Sequence, residues 1–317
     1  MAARCGRQSD PGRGRQAAVR DLDAAHCRVR GLGKGAATLP GMKTATSGTR
    51  QGTEAARAPG RSLTLATWNM HYGIGRDNRF DMERVLAVIA ETDADVIGLQ
   101  EVGWHRPHHE RLDHFAYLEE KSGYRVVECL VRDPLRSRFG NALLSRLPVA
   151  TTRWIDLKVA GHAPRAALSV DLRLAEDHGL RVMVAHLGLI PWERNQQVQR
   201  LVAAADADLP PGWSCALVGD FNIWRRSTQS ERLLRQRFPE AVTLPSFPAG
   251  RPMAALDRIF LSGGVGLEAA EVVERGAASL ASDHLPVLAR VTLPAPTAAR
   301  AVPDRTQENP AQEETAT

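Results

Sequence analysis

Residues 215–222 read CALVGDFN, and this short stretch shows a pattern that recurs along the whole sequence. An apolar run, residues 215–218, is followed by Gly219 and then by Asp220 and Asn222. Side chains two positions apart in an extended chain point to the same side, so the carboxylate and the amide are expected to lie together. Such a pair could hold an attacking oxygen and stabilise negative charge at phosphorus. Asp and Asn are also common in turns that merely end a strand.

Other apolar runs also end in polar residues, and these runs define the predicted fold. Strands are predicted at residues 63–68, 95–100, 124–130, 141–145, 166–172, 181–185, 215–218, 256–261 and 285–291. Helices are predicted at residues 82–89, with Asp81 as the N-cap, at 111–121 and at 191–207. Many short strands mixed with helices favour an α/β protein with two packed sheets over a simple βαβ repeat. The polar residues that end or follow strands are Asn69, Glu101, His186, Asp220, Asn222, Asp257, Asp283 and His284.

His284 is the first candidate for proton transfer, because imidazole exchanges protons near neutral pH. Its neighbour Asp283 cannot easily orient the ring, so the orienting carboxylate is expected to be Asp257 on another strand. The alternative is that residues 282–287 form only a capped turn that enters a strand.

Glu101 and Asn69 are the first candidates for a metal site. A carboxylate at the end of a buried strand is costly unless it is paired or bound to a cation. Oxygen ligands without cysteine suit Mg²⁺ or Mn²⁺. Each residue could equally be structural, as could His186. Arg165 and Asn141 could contact phosphate oxygens or make ordinary hydrogen bonds.

A histidine-rich tract near residue 110 also resembles a metal site, but its setting favours a polar loop instead. Its members are His105, His108, His109 and His114.

Composition excludes several classes of protein. No apolar run is long enough to span a membrane, and the arginine-rich start has no apolar segment typical of a secretion signal. The four cysteines form no C-x-x-C pair, so a reduced, cytoplasmic setting is expected. Residues 1–61 contain 12 Lys and Arg against 4 Asp and Glu, whereas residues 62–297 contain 27 against 28. The pI near 9.3 therefore does not predict a nucleic-acid surface, although a local basic patch remains possible.

Seven motifs occur in a fixed order: TWNMH from Thr67, LQE ending at Glu101, GNALLS from Gly140, HL at His186, GDFN from Gly219, LDRIF from Leu256 and SDH from Ser282. Together they resemble the endonuclease/exonuclease/phosphatase superfamily, which includes deoxyribonuclease I, abasic-site endonucleases, neutral sphingomyelinases and inositol phosphatases. The resemblance covers residues 62–293. It implies an α/β (α+β) fold, a four-layer sandwich of two packed mixed sheets flanked by helices.

The resemblance also implies roles for the candidate residues. Mg²⁺ or Mn²⁺ would be held by Glu101 with Asn69, and Asp283 would add to that shell. His284 would activate water while Asp257 orients it, and Asp220 and Asn222 would position the nucleophile. The expected phosphate or substrate contacts are His186, Arg165, Asn141 and His71. Abasic-site endonucleases have an aspartate where this chain has His71, so a direct metal role for His71 is not expected.

The sequence therefore predicts a disordered basic extension (1–61), a catalytic domain (62–294) and a disordered tail (295–317). The expected activity is metal-dependent hydrolysis of a phosphodiester in a nucleic acid, a lipid head group or a small molecule. The alternatives are a dedicated DNA or RNA nuclease and an inactive phosphate-binding module. A monomer without a protein partner or membrane insertion is expected.

Overall fold

The computed structural model describes residues 60–104, 112–133, 137–175 and 178–295, together with the backbone of residues 27–29. One sheet has the order β1 (Cys27–Val29), β4 (Arg125–Asp133), β5 (Ser137–Ser145), β3 (Val96–Trp104), β2 (Ser62–Asn69), β13 (Val287–Thr292) and β12 (Gly266–Val272). The other has the order β10 (Glu240–Val242), β11 (Asp257–Ser262), β9 (Ser214–Asp220), β8 (His178–His186), β7 (Ala166–Ala175) and β6 (Val149–Asp156). The helices are α1 (Met82–Thr92), α2 (His114–Ser122), α3 (Pro191–Asp206), α4 (Gln229–Arg237), α5 (Ala278–Ala281) and a 3₁₀ turn at His71–Gly73.

Three apolar clusters hold four layers together. The central cluster lies between the sheets and includes Leu65, Leu168 and Val218. A second cluster packs α1 and α2 on the outer face of the first sheet, and a third packs α3 and α4 on the outer face of the second sheet. Burial of apolar side chains on both faces of the central strands, one face in each cluster, drives this layering. The predicted four-layer α/β sandwich is confirmed.

Strand direction brings the candidate residues to one edge of the sandwich. In the first sheet β2 and β3 are parallel, and β13 is antiparallel to β2. In the second sheet β8 and β9 are parallel, and β11 is antiparallel to β9. The ends of β2, β3, β8 and β9 therefore lie at the same edges as the starts of β13 and β11. The two edges meet, because Asn69 Nδ2 donates a hydrogen bond to Asp220 Oδ2 across the sheets at 3.2 Å.

Several predicted elements are confirmed and others need correction. Asp81 caps α1 as predicted, since its side chain accepts a hydrogen bond from the backbone N–H of Arg84. Glu101 was expected to follow its strand, but β3 continues to Trp104 through an irregularity between Leu99 and Val102. Asn141 was expected to begin a strand, but it lies within β5. The strands β6, β10 and β12 and the helices α4 and α5 were not predicted.

The predicted extension and tail fall largely outside the described residues, so their boundaries and disorder stay predictions. The short strand β1 lies within the predicted extension and pairs antiparallel with β4. Among the described residues, no helix combines the length and apolar character that crossing a lipid bilayer requires.

Candidate active site

Three candidate residues form a row across the second sheet. In the pairing of β8 with β9, His186 stands opposite Asp220, and in the pairing of β9 with β11, Asp220 stands opposite Asp257. All three are buried. Gly219, just before Asp220, has φ +152°, and a Cβ there would lie 1.9 Å from the carbonyl oxygen of Ala185. The close approach of β8 to β9 beside the row therefore requires glycine.

His284 and Asp257 form a buried dyad. The Nδ1 atom of His284 lies 2.7 Å from Asp257 Oδ2, and the two side chains are 7% and 0% exposed. Ser246 Oγ donates to the same carboxylate oxygen at 2.5 Å, and the indole N–H of Trp68 donates to the backbone carbonyl of His284 at 3.0 Å. Ser246 thus holds the carboxylate that contacts the ring, and Trp68 holds the backbone of His284. The predicted proximity of His284 and Asp257 is confirmed.

The charge balance of the dyad reflects the carboxylates around it. Burial alone would lower the pKa of His284, but the charges of Asp257 and Asp220 and the hydrogen bond to Asp257 raise it to about 10. Burial, followed by the charge of Asp257, raises the pKa of Asp220 to about 6. The site therefore holds more negative charge than its own cations offset.

Glu101 sits at the irregularity in β3, in a left-handed backbone conformation with φ +54°. Burial is the main cause that raises the pKa of Glu101, and its side chain is 19% exposed. Its Oε1 lies 3.9 Å from His186 Nδ1, and His186 Nε2 lies 3.5 Å from Asp220 Oδ2. Burial lowers the pKa of His186 well below its usual value, so this imidazole is neutral and does not balance either carboxylate.

Two sets of side chains have the donor chemistry of a divalent-cation site. Glu101 and Asn69, with Asp283 nearby, offer hard oxygen ligands around a largely buried carboxylate; burial raises its pKa, and the charges of His71 and Arg165 oppose that rise. Ligand atoms of Asp220, Asp257 and His284 also lie within 4.8 Å of one another. In that second set, Asp257 Oδ2 and His284 Nδ1 already bond to each other, although the buried Asp257 Oδ1 has no hydrogen-bond partner among the described residues. Both sets fit a hard cation, and the first leaves the dyad intact.

Asp283 and His71 lie at the solvent side of the site. Asp283 Oδ1 is 3.9 Å from His71 Nδ1, and the two side chains are 42% and 39% exposed. The His71 ring also contacts the backbone carbonyl of Ile74 at 3.1 Å. Ser282 Oγ donates to the Asn69 carbonyl at 2.7 Å and accepts from the backbone N–H of His284, so it ties the segment before β13 to the end of β2.

Asn222, Asn141 and Arg165 lie around this centre in different ways. The amide nitrogen of Asn222 donates to the Leu187 carbonyl at 3.0 Å, so this group joins two loops. Asn141 Nδ2 donates to the Ala166 carbonyl at 2.9 Å. Asn141 and Arg165 line a small cleft with Glu101 and His186. The buried Nε of Arg165 has no hydrogen-bond partner among the described residues, so it is a donor available to an anion.

Only His114 of the histidine-rich tract lies among the described residues, and it belongs to no group of metal-ligating side chains found there. His105, His108 and His109 lie outside the described residues. His114 is buried at the start of α2, and its Nδ1 accepts a hydrogen bond from the backbone N–H of Gly103 at 3.1 Å. The polar-loop prediction is therefore wrong for His114, whereas the helix predicted at residues 111–121 is confirmed at this residue.

Two residues of the site, Ser246 and Phe247, were not predicted from the sequence. Ser246 contacts Asp257 from the loop before β11, and no spacing or composition signal marks it. The Phe247 ring lies 4.7 Å from the His284 ring, between centroids, and also contacts the Trp224 ring. The sequence marks Phe247 only as an aromatic residue in a loop rich in Pro and Gly.

Comparisons with known proteins agree with this architecture. A model of the Endonuclease/Exonuclease/phosphatase family matches residues 66–284, and the chain therefore belongs to this family. Members of the family are generally hydrolases that act on phosphoester bonds. No curated protein sequence matches the chain.

Solved structures show the same fold. The chain is similar to an endonuclease/exonuclease/phosphatase from Beutenbergia cavernae DSM 12333, with 22% identity and a TM-score of 0.61 over 74% of this chain and 72% of that chain. The catalytic domain of human Nocturnin, with a bound sulfate anion, has 18% identity and a TM-score of 0.58 over 75% and 94%. D. rerio TDP2, in complex with a single strand DNA product, has 16% identity and a TM-score of 0.54 over 73% and 99%. At these identities the likeness establishes the fold alone.

Proposed function

We propose that this protein is a divalent-metal-dependent phosphodiesterase in which His284 activates the attacking water. The observation that carries the proposal is the buried contact of 2.7 Å between His284 Nδ1 and Asp257, beside the cluster of Glu101, His186 and Asp220. A histidine oriented by a buried carboxylate is an arrangement suited to general-base catalysis.

The hydrogen bond to Asp257 assigns a proton to His284 Nδ1 and directs Nε2 toward the reacting centre. Nε2 lies 3.8 Å from Asp220 Oδ2, so a water held by Asp220 would be within reach of the ring. Asp220, fixed by Asn69 and by the backbone N–H of Asn222, would position that water for in-line attack. Asn222 would support this geometry through the loop that it joins to Leu187.

Glu101 and Asn69 would hold the divalent ion, with Asp283 adding an oxygen ligand from the solvent side. When bound, Mg²⁺ or Mn²⁺ would polarise a phosphoryl oxygen and offset the negative charge of the cluster. The raised pKa of His284 reflects the excess of carboxylates around it. A cation among these carboxylates is expected to lower that pKa toward the neutral range in which a base works.

The phosphate contacts follow from the remaining polar groups. Neutral His186 can donate one hydrogen bond to a phosphate oxygen, and the Arg165 guanidinium faces the same cleft with an unused donor. Asn141 would contribute through the same cleft, and His71 would contact substrate at the exposed rim. The completeness of the set disfavours an inactive binding module, which is expected to have lost at least one of Glu101, Asp220, Asp257 and His284.

The test is hydrolysis of bis-p-nitrophenyl phosphate with Mg²⁺, Mn²⁺ or EDTA by the wild type, Glu101→Gln and His284→Ala. Duplex and single-stranded DNA, RNA, sphingomyelin and phosphoinositides complete the panel of substrates. Metal-dependent turnover that both substitutions abolish supports the proposal. Turnover that persists in EDTA, or in either variant at the wild-type rate, contradicts it. Absence of turnover on every substrate would support the binding-module alternative.

A further inference from the structure

Most of the exposed apolar side chains lie on three loops or at the start of α3, which continues the first loop. Among the described residues, six large hydrophobic side chains are exposed, and five of them belong to these segments. They are Leu189 (66% exposed), Ile190 (41%), Trp192 (49%), Trp224 (56%) and Met253 (69%). Single exposed apolar residues are ordinary on a protein surface, whereas a concentration of them indicates an interaction site.

The three loops border the candidate active site. The first follows β8 and His186, the second follows β9 and Asp220, and the third precedes β11 and Asp257. The first two loops are linked by the hydrogen bond from Asn222 to the Leu187 carbonyl. We call the exposed apolar and basic residues of residues 187–192, 222–228 and 247–254 the catalytic rim.

The charge of the catalytic rim is positive. Arg225, Arg226 and Arg251 are exposed and form no ion pair with a described residue. The three loops themselves contain no Asp or Glu, apart from the site residues that flank them. This local patch differs from the near-neutral charge of the folded part as a whole.

A cleft lies beside the catalytic rim, and one of the residues that line it contacts the dyad. The cleft has a volume of about 610 Å³, and Trp224, Phe247 and Met253 line it. The Phe247 ring lies 4.7 Å from the His284 ring and 5.7 Å from the Trp224 ring, between centroids. The apolar rim and the dyad are therefore neighbours through Phe247.

We propose that the catalytic rim docks the protein on a phospholipid bilayer that contains anionic lipid, and that the phosphodiester of a lipid head group is the substrate. The substrate part rests on the proposed function, whereas docking does not. Tryptophan and arginine suit the head-group region of a bilayer, because each combines an apolar body with a polar tip. The aliphatic side chains of Leu189, Ile190 and Met253 would gain little from a nucleic-acid backbone but gain burial among acyl chains.

Vesicle sedimentation tests docking separately from catalysis. The full-length chain is mixed with vesicles of phosphatidylcholine, with or without phosphatidylserine. Replacing Leu189 and Ile190 together with serine is expected to lower the ratio of bound to free protein about tenfold or more, because two apolar side chains no longer bury. Replacing Arg225 and Arg226 with serine is expected to lower it about tenfold on vesicles with phosphatidylserine and much less on phosphatidylcholine alone.

Two matched controls separate docking from folding. Replacing Leu189 and Ile190 with methionine keeps the apolar surface, so binding should persist. Arg173→Ser removes an exposed arginine at the opposite end of the sheet, in β7 beside the start of β8, and should also leave binding unchanged. Hydrolysis of soluble bis-p-nitrophenyl phosphate should be the same in all four variants as in the wild type.

Three outcomes would overturn docking on lipid. Equal vesicle binding by the wild type and by the variant with serine at residues 189 and 190 would show that the catalytic rim is not the docking surface. Binding to a labelled single-stranded oligonucleotide, lost in the Arg225 and Arg226 variant and without vesicle binding, would identify a nucleic-acid surface. A wild-type dimer that the double serine variant dissociates would identify an interface between copies. If the wild type binds vesicles but lacks hydrolysis of the soluble diester, docking stands and the proposed function fails.

Discussion

Replacing Asp257 with asparagine removes one charge from the dyad and nearly preserves the size of the side chain. In the wild type, Asp257 Oδ2 accepts from Ser246 and contacts His284 Nδ1 at 2.7 Å, with no solvent exposure. An amide nitrogen facing the ring would compete with the N–H at Nδ1 and move the proton to Nε2, where a base must be unprotonated. An amide oxygen facing the ring would keep the hydrogen bond without the charge.

The expected loss of activity follows from the contribution that a general base makes to the rate. A positioned general base contributes roughly 10²- to 10⁴-fold in rate, or about 3 to 5 kcal/mol. Because Asp257 is fully buried and no water can replace it, Asp257→Asn is expected to lower kcat within this range. The KM for a small diester should change little, since Asp257 does not face the small cleft lined by Arg165.

The assay is steady-state hydrolysis of bis-p-nitrophenyl phosphate at saturating Mg²⁺ by the wild type, Asp257→Asn, His284→Ala and the double variant. If Asp257 acts through His284, the double variant should be no slower than His284→Ala, because residues that act as a unit are not additive. Ser246→Ala is the milder control and should retain more activity than Asp257→Asn. A kcat for Asp257→Asn within about threefold of the wild type, or full additivity of the two losses, would refute this reasoning.

The remaining predictions concern folding. Asp171→Asn leaves the fully buried Arg181 without the carboxylate that it contacts at 2.7 Å. This loss is expected to lower the free energy of unfolding by about 3 to 5 kcal/mol and Tm by roughly 6 to 20 °C, measured by circular dichroism. An unchanged Tm would show that the ion pair does not stabilise the fold. Burial alone would raise the pKa of Asp171, but hydrogen bonds from Arg181 and Thr151 hold it below 3.8. The stabilisation by the Asp171 carboxylate is therefore present above about pH 4 and is lost as the pH falls through the pKa that this group has in the folded protein. The Tm difference between the wild type and Asp171→Asn should therefore narrow in acid. A Tm difference that does not change with pH would contradict a stabilising role for this charge. Gly219→Ala should yield unfolded or severely destabilised protein, seen as loss of soluble expression or of a cooperative transition, and a wild-type Tm would show that β8 and β9 can separate.

The row of His186, Asp220 and Asp257 could be anticipated because each residue ends or begins an apolar strand. Hydrophobic runs identify strands, and polar residues at their ends indicate an edge where a site can form. The resemblance of the ordered motifs supplied the four-layer arrangement and the roles of the remaining site residues. The dyad itself followed from the chemistry of imidazole, which needs a partner other than its own neighbour.

Other features depend on tertiary structure and left no local signal. Glu101 projects into the site because β3 is irregular there, and a single residue with a left-handed backbone cannot be read from an apolar run. Ser246 reaches Asp257 through the fold of a loop. The strand β12 was missed because it is an exposed edge strand whose residues lack an apolar face. The helix α4 was missed because charged and polar residues dominate its sequence.

In the proposed site Glu101 holds the cation, whereas Asp257 orients His284. Isothermal titration of Mn²⁺ into the wild type, Glu101→Gln and Asp257→Asn tests this division without any turnover. We expect one Mn²⁺ site in the wild type, at least about tenfold weaker binding in Glu101→Gln, and nearly wild-type affinity in Asp257→Asn. Wild-type affinity in Glu101→Gln together with loss of binding in Asp257→Asn would place the cation on Asp220, Asp257 and His284 and would contradict the assignment of the cation to Glu101.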